Sequence, residues 1–199
     1  MKKWLFVFLA IMAMSSLAVA QVPKPISLHV GGAVSIPSSP QAFTDNYKTG
    51  IHGWVGVGYK IMPNFQAVGK IEYNRFALDI NPELEALGVT GGHNNLWMGG
   101  IDGRYAFALP KAPITPYVLG GAGLARMSIS SLDGGGSLAA SFNEYKPEAT
   151  TDPYFNVGAG FELNTGPMWN LFFQVRYVSV ATEGQASSFI PVSLGLKFF

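Results

Sequence analysis

The chain has 199 residues and no cysteine, with 13% charged residues, 13% aromatic residues and 24 glycines. An ordinary soluble domain carries roughly 25% charged residues, so this composition suits a surface that meets lipid, and the missing thiols exclude a disulfide framework. The formal charge of +1 falls to −1 without Lys2 and Lys3, which leaves no basic excess for nucleic acid.

Residues 1–20 read as a secretory signal peptide: Lys2 and Lys3, an apolar run from Trp4 to Met14, then the small residues Ala18-Val19-Ala20 before a cleavage site. Gln21 is the expected mature N-terminus, and 21–199 the expected single domain. The apolar run is short of the ~20 residues that span a bilayer, and no later stretch replaces it. Membrane crossing therefore falls to strands.

Beyond residue 25 apolar side chains recur at every second position, the period of a strand with two unlike faces. The first segment sets Leu28, Val30, Val34 and Ile36 against Ser27, His29 and Ser35. The second sets Ile51, Val55, Val57, Tyr59 and Ile61 against His52, Trp54, Gly56, Gly58 and Lys60, and the third Phe65, Ala67, Ile71 and Tyr73 against Gln66, Lys70, Glu72 and Asn74. In the fourth, Trp97, Ile101, Tyr105 and Phe107 oppose Met98, Asp102, Arg104 and Ala106. The fifth is diluted by Gly120, Gly121 and Gly123; Tyr117, Leu119, Ala125 and Met127 are assigned there to the apolar face, opposite Leu124 and Arg126. The sixth opposes Phe155, Val157, Ala159, Phe161 and Leu163 to Asn156 and Glu162, and the seventh Trp169, Leu171, Phe173, Val175 and Tyr177 to Asn170, Gln174 and Arg176. The eighth opposes Ile190, Val192, Leu194, Leu196 and Phe198 to Ser193 and Lys197.

Short links rich in Pro, Gly or Asn fall at 62–64, 109–114 and 164–167, and long polar links at 37–50, 79–94, 130–151 and 182–187. Short turns at one end and longer loops at the other describe an all-β, eight-stranded antiparallel up-and-down transmembrane β-barrel. Lys60, Lys70, Arg104, Arg126, Arg176 and Lys197, with Glu72, Asp102 and Glu162, are assigned to the lumen, leaving Arg75 as the one charge on the apolar face. Aromatics gather at both ends of that face, as two headgroup belts would. Eight strands enclose a space just wide enough for side chains, so an internal polar network of Lys70, Glu72, Asp102, Arg104 and Arg176 is expected rather than an open pore.

The stretches 58–65 (GYKIMPNF), 72–76 (EYNRF) and 194–199 (LGLKFF) resemble the small eight-stranded outer-membrane barrels, the OmpA transmembrane-domain and OmpX-like group. The resemblance covers essentially the whole mature chain. It implies residence in the bacterial outer membrane, contact with its lipid, and insertion by the barrel-assembly machinery, with Phe199 as the C-terminal assembly signal. The lipid-facing parity runs through Phe198, one step earlier.

No catalytic residue, metal ligand or cofactor site is expected. His29 and His52 fall on the lumen face near Ser27 and Ser35, where interior packing accounts for them. His93 lies in a loop, and Gly120-Gly121-Ala122-Gly123 has neither the lysine nor the following helix of a phosphate loop. Asp133 before three glycines reads as a flexible turn. The loop 130–151 offers Phe142, Tyr145 and Lys146 for contact, with no partner named by the sequence. The expected role is structural or surface-interacting and non-enzymatic, with a narrow channel, a lipid-modifying enzyme and a soluble periplasmic carrier as the alternatives.

Overall fold

The computed structural model describes residues 25–199 apart from 87, 108, 110, 111, 135 and 183; the expected signal peptide and Gln21 lie outside this range. The long strands are β1 (Ile26–Ser39), β2 (Gly50–Met62), β3 (Phe65–Phe76), β4 (Asn94–Ala106), β5 (Ile114–Ile129), β6 (Thr150–Leu163), β7 (Trp169–Val180) and β8 (Ser187–Phe198). Each pairs antiparallel with its neighbours in sequence, and β1 pairs with β8 from Leu28 opposite Phe198 to Ser39 opposite Ser188, closing the barrel. Closure satisfies every strand edge internally, the condition for crossing hydrocarbon with strands. At 12–16 residues the strands exceed the ~9–11 needed to span a bilayer at a tilt, so their loop-side ends project beyond it.

Alternating burial follows the sequence period. In β2, Ile51, Val55, Val57, Tyr59 and Ile61 face out and are exposed, whereas His52 and Trp54 are buried inside. β5 departs from the expected assignment. Tyr117, Leu119 and Ala125 are buried in the lumen, and Leu124 and Arg126 point outwards. Leu119 and Leu124 put a leucine on each face and the glycines remove other markers, so only the charge of Arg126 had set the parity; near a strand's loop end a charge reaches headgroups and does not have to face inwards.

The long links carry structure of their own. Among the described residues these are α1 (Gln41–Asn46), α2 (Pro82–Ala86), α3 (Ser137–Tyr145) and a ribbon pairing Thr90–Gly91 with Leu132–Asp133. Asp133 is therefore a paired residue, not a flexible turn. No helix among the described residues is long and apolar enough to cross a membrane.

Candidate functional site

The lumen is filled in layers. Nearest the short turns, Glu162 accepts from Arg104 at 2.6 Å and from Lys197 at 3.1 Å, with Asn170 beside it. The Arg104 guanidinium lies 3.3 Å from the Tyr117 ring centroid, a cation–π contact that the inward turn of Tyr117 creates. Gln66 donates to Ser27 Oγ at 2.6 Å, and Ser27 Oγ lies 3.0 Å from His29 Nε2. Among the described residues the other ring nitrogen of His29, Nδ1, has no hydrogen-bond partner. His29 is fully buried between Trp54 and Phe172, each with ring centroids 6.2 Å away.

Above this aromatic waist sits a second ion-pair layer. Lys70 Nζ reaches Glu72 at 2.6 Å and Asp102 at 2.7 Å; Arg176 donates to both oxygens of Glu72, at 3.0 Å from Nη1 to Oε1. His52 Nε2 is 3.0 Å from Glu72, and Asn156 donates to Asp102 at 2.9 Å. Two carboxylates face two fixed cations, so the buried layer is charge-balanced, as buried ions require. Of the five residues expected in one polar network, the structure joins Lys70, Glu72, Asp102 and Arg176, while Arg104 belongs to the lower layer with Glu162 and Lys197. Phe199 follows the end of β8; its amide donates to the Met168 carbonyl at 3.1 Å, and Lys197 Nζ lies 4.9 Å from its ring.

Sequence reasoning missed the cap. Phe76, Leu96, Met98, Ala125, Tyr154, Val178, Val180 and Phe189 form an apolar cluster inside the loop-side end, and α1 folds over it so that Phe43 closes the mouth. Phe43 meets Phe76 edge-on at 5.0 Å between centroids. The signal was present, because lumen-parity positions turn apolar at the loop ends of β3, β4, β7 and β8. At the opposite end a cavity of about 650 Å³ is lined by Lys60, Gln66, Arg104, Glu162, Asn170 and Lys197, among others. It stops at the lower ion-pair layer.

A family model described as outer membrane protein beta-barrel domain matches residues 6–198. The chain belongs to that family. Among solved structures, this outer membrane protein beta-barrel is similar to Neisserial surface protein A (17% identity, 88% of this chain and 97% of that chain, TM-score 0.63). It is similar to Ail of Yersinia pestis, solved with the heparin analogue sucrose octasulfate (16% identity, 87% and 97%, TM-score 0.52). OprG of Pseudomonas aeruginosa matches at 11% identity over 87% and 95%, with a TM-score of 0.53. These identities carry the fold alone. No curated protein matches in sequence. Family and fold together make the chain a β-barrel of the bacterial outer membrane.

Proposed function

We propose that this barrel is a sealed, non-enzymatic base that holds an external platform for contact with cationic partners. The observation behind the reading is that the long loops pack on one another. Val89, Leu132 and Ala139 form a small core with Leu78, Ile80 and Phe142, outside the barrel. Asn143 clamps α3 to the ribbon, its Nδ2 donating to the Leu132 carbonyl and its Oδ1 accepting from the Leu132 amide, both at 2.9 Å. Such a platform binds without first ordering its loops, which lowers the cost of association.

Charge favours the partner class. Residues 40–49, 77–93, 130–149 and 181–186 carry eight carboxylates against Lys48 and Lys146. A polyanion of the kind seen with Ail would be repelled here, and a basic protein segment attracted. Tyr145, 80% exposed, offers an aromatic contact beside Lys146, which donates to Ser131 at 2.9 Å. A channel reading is disfavoured because two ion-pair layers, an aromatic waist and the Phe43 cap lie in series.

Proteoliposomes carrying the barrel should capture a fluorescent oligolysine peptide in a salt-sensitive manner, and a variant with residues 130–149 replaced by a Gly-Ser turn should capture far less. Planar bilayers should remain silent with both proteins. Equal capture by the two proteins, or a steady single-channel conductance, would overturn the reading.

A further inference from the structure

Every outward-facing position of the eight strands is uncharged except two, Arg75 on β3 and Arg126 on β5. A cation facing lipid costs roughly 2–4 kcal/mol at mid-depth and about 0–1 near the interface. Both arginines sit near the loop ends of their strands, level with outward aromatics. In register, Tyr73, Trp97 and Arg126 form one row across β3, β4 and β5, and Arg75, Asn95 and Ser128 form the next row towards the loops. The two Cα atoms are therefore separated by roughly 10 Å across the sheet and about 7 Å along it. Among the described residues neither arginine has a carboxylate within ion-pair distance. Tyr73 and Trp97 pack with centroids 4.8 Å apart between the two charges, and the Tyr73 hydroxyl donates to Asn95 Oδ1 at 2.7 Å, holding the patch rigid.

Two unpaired guanidinium groups on one side of an otherwise uncharged belt call for an anion at headgroup height. The outer leaflet of this membrane is built of a phosphorylated glycolipid, and phosphate is the acceptor that matches the planar donor fork of arginine. We propose that Arg75 and Arg126, framed by Tyr73 and Trp97, form a binding site for the phosphorylated headgroup of an outer-leaflet lipid on the β3–β5 face. The site fixes one glycolipid against one side of the barrel and orients the molecule about its axis. It is independent of the loop platform.

The test uses full-length mature protein in micelles with lipid A carrying its phosphates, read by native mass spectrometry as lipid retained per barrel. Retention should fall at least tenfold in R75Q/R126Q and with enzymatically dephosphorylated lipid A, while K48Q, which removes a cation paired with Asp79 in a loop, should leave it unchanged. Unchanged retention by the double variant, or by dephosphorylated lipid, would overturn the site. Competition by inorganic phosphate at equal concentration would overturn the lipid as its source. If the double variant gives no folded band on an unboiled gel, R75Q and R126Q are measured singly; each should lower retention about threefold, and no loss in either would overturn the site.

Discussion

At the scale of single residues the lumen charges behave as a set. Glu72 is 1% exposed and bears both oxygens on Arg176 while also holding Lys70. Removing one partner of such a buried arrangement costs about 3–5 kcal/mol, since the other charge stays buried without its counter-ion. Glu72→Gln should lower the unfolding free energy by that amount, read from urea titrations of folding into liposomes as a fall in midpoint at unchanged slope. Asp79→Asn breaks the exposed pair to Lys48 at 3.1 Å and should change stability by less than about 1 kcal/mol. A loop residue gives the pH test. Burial, and after it the charge of Arg75, hold His93 below its ordinary value of 6.5. The unfolded chain therefore takes up the proton first as pH falls, so the neutral residue's contribution is complete above about 6.5 and declines below it. In a histidine-resolved NMR titration, Arg75→Gln should raise the His93 midpoint towards 6.5 without reaching it. These side chains were legible to different degrees. A period of two assigns Lys70, Glu72, Asp102 and Arg176 to the inside, but only the closed structure says which cation meets which carboxylate, and so the separation of Arg104 from that set was not readable.

At the scale of elements, strands were legible and loops were not. Eight alternating stretches bounded by Pro, Gly and Asn need no tertiary information to be recognised. A six-residue helix such as α1 has too few turns to show a period, and its value depends on a distant contact, Phe43 against Phe76 and through it Phe189. Pro40 precedes α1, and its carbonyl accepts from the amides of Phe43 and Thr44, which starts the turn that brings Phe43 over the mouth. Phe43→Ala should destabilise the barrel by about 3 kcal/mol, the low end for a buried phenylalanine, because the cap borders water. Bilayer recordings of the same variant should stay silent, since the Glu72 layer still fills the lumen beneath. Steady conductance through Phe43→Ala would show instead that the cap alone closes the barrel.

At the scale of the whole molecule the seam between β1 and β8 decides whether a barrel exists at all. One register row runs Trp54, Gly31, Gly195, Phe172 across β2, β1, β8 and β7. The two glycines face each other at the seam, and the two large rings lean over them from either side, meeting with centroids 5.5 Å apart. A Cβ on Gly31 would lie 2.5 Å from the Trp54 indole nitrogen, and one on Gly195 would collide with the Phe172 ring and the Val30 carbonyl. The waist is thus filled by the neighbours of the seam and not by the seam itself, which leaves β1 and β8 free of lumen side chains at the level where those rings meet. Glycine in a strand interior costs stability locally; here it makes room for two buried aromatics whose burial outweighs that cost. Gly195→Val should therefore act on closure rather than on any one contact. The outward face of β8, including Leu194, Leu196 and Phe198, is untouched, so the chain should still associate with lipid. Yet the compact band that resists unfolding on an unboiled gel should be largely lost, and Phe172→Ala in the same chain should restore part of it by giving the new side chain the space of the ring. Failure of that second change to restore any folded band would mean that the clash with the Val30 backbone, not ring packing, sets the limit at the seam.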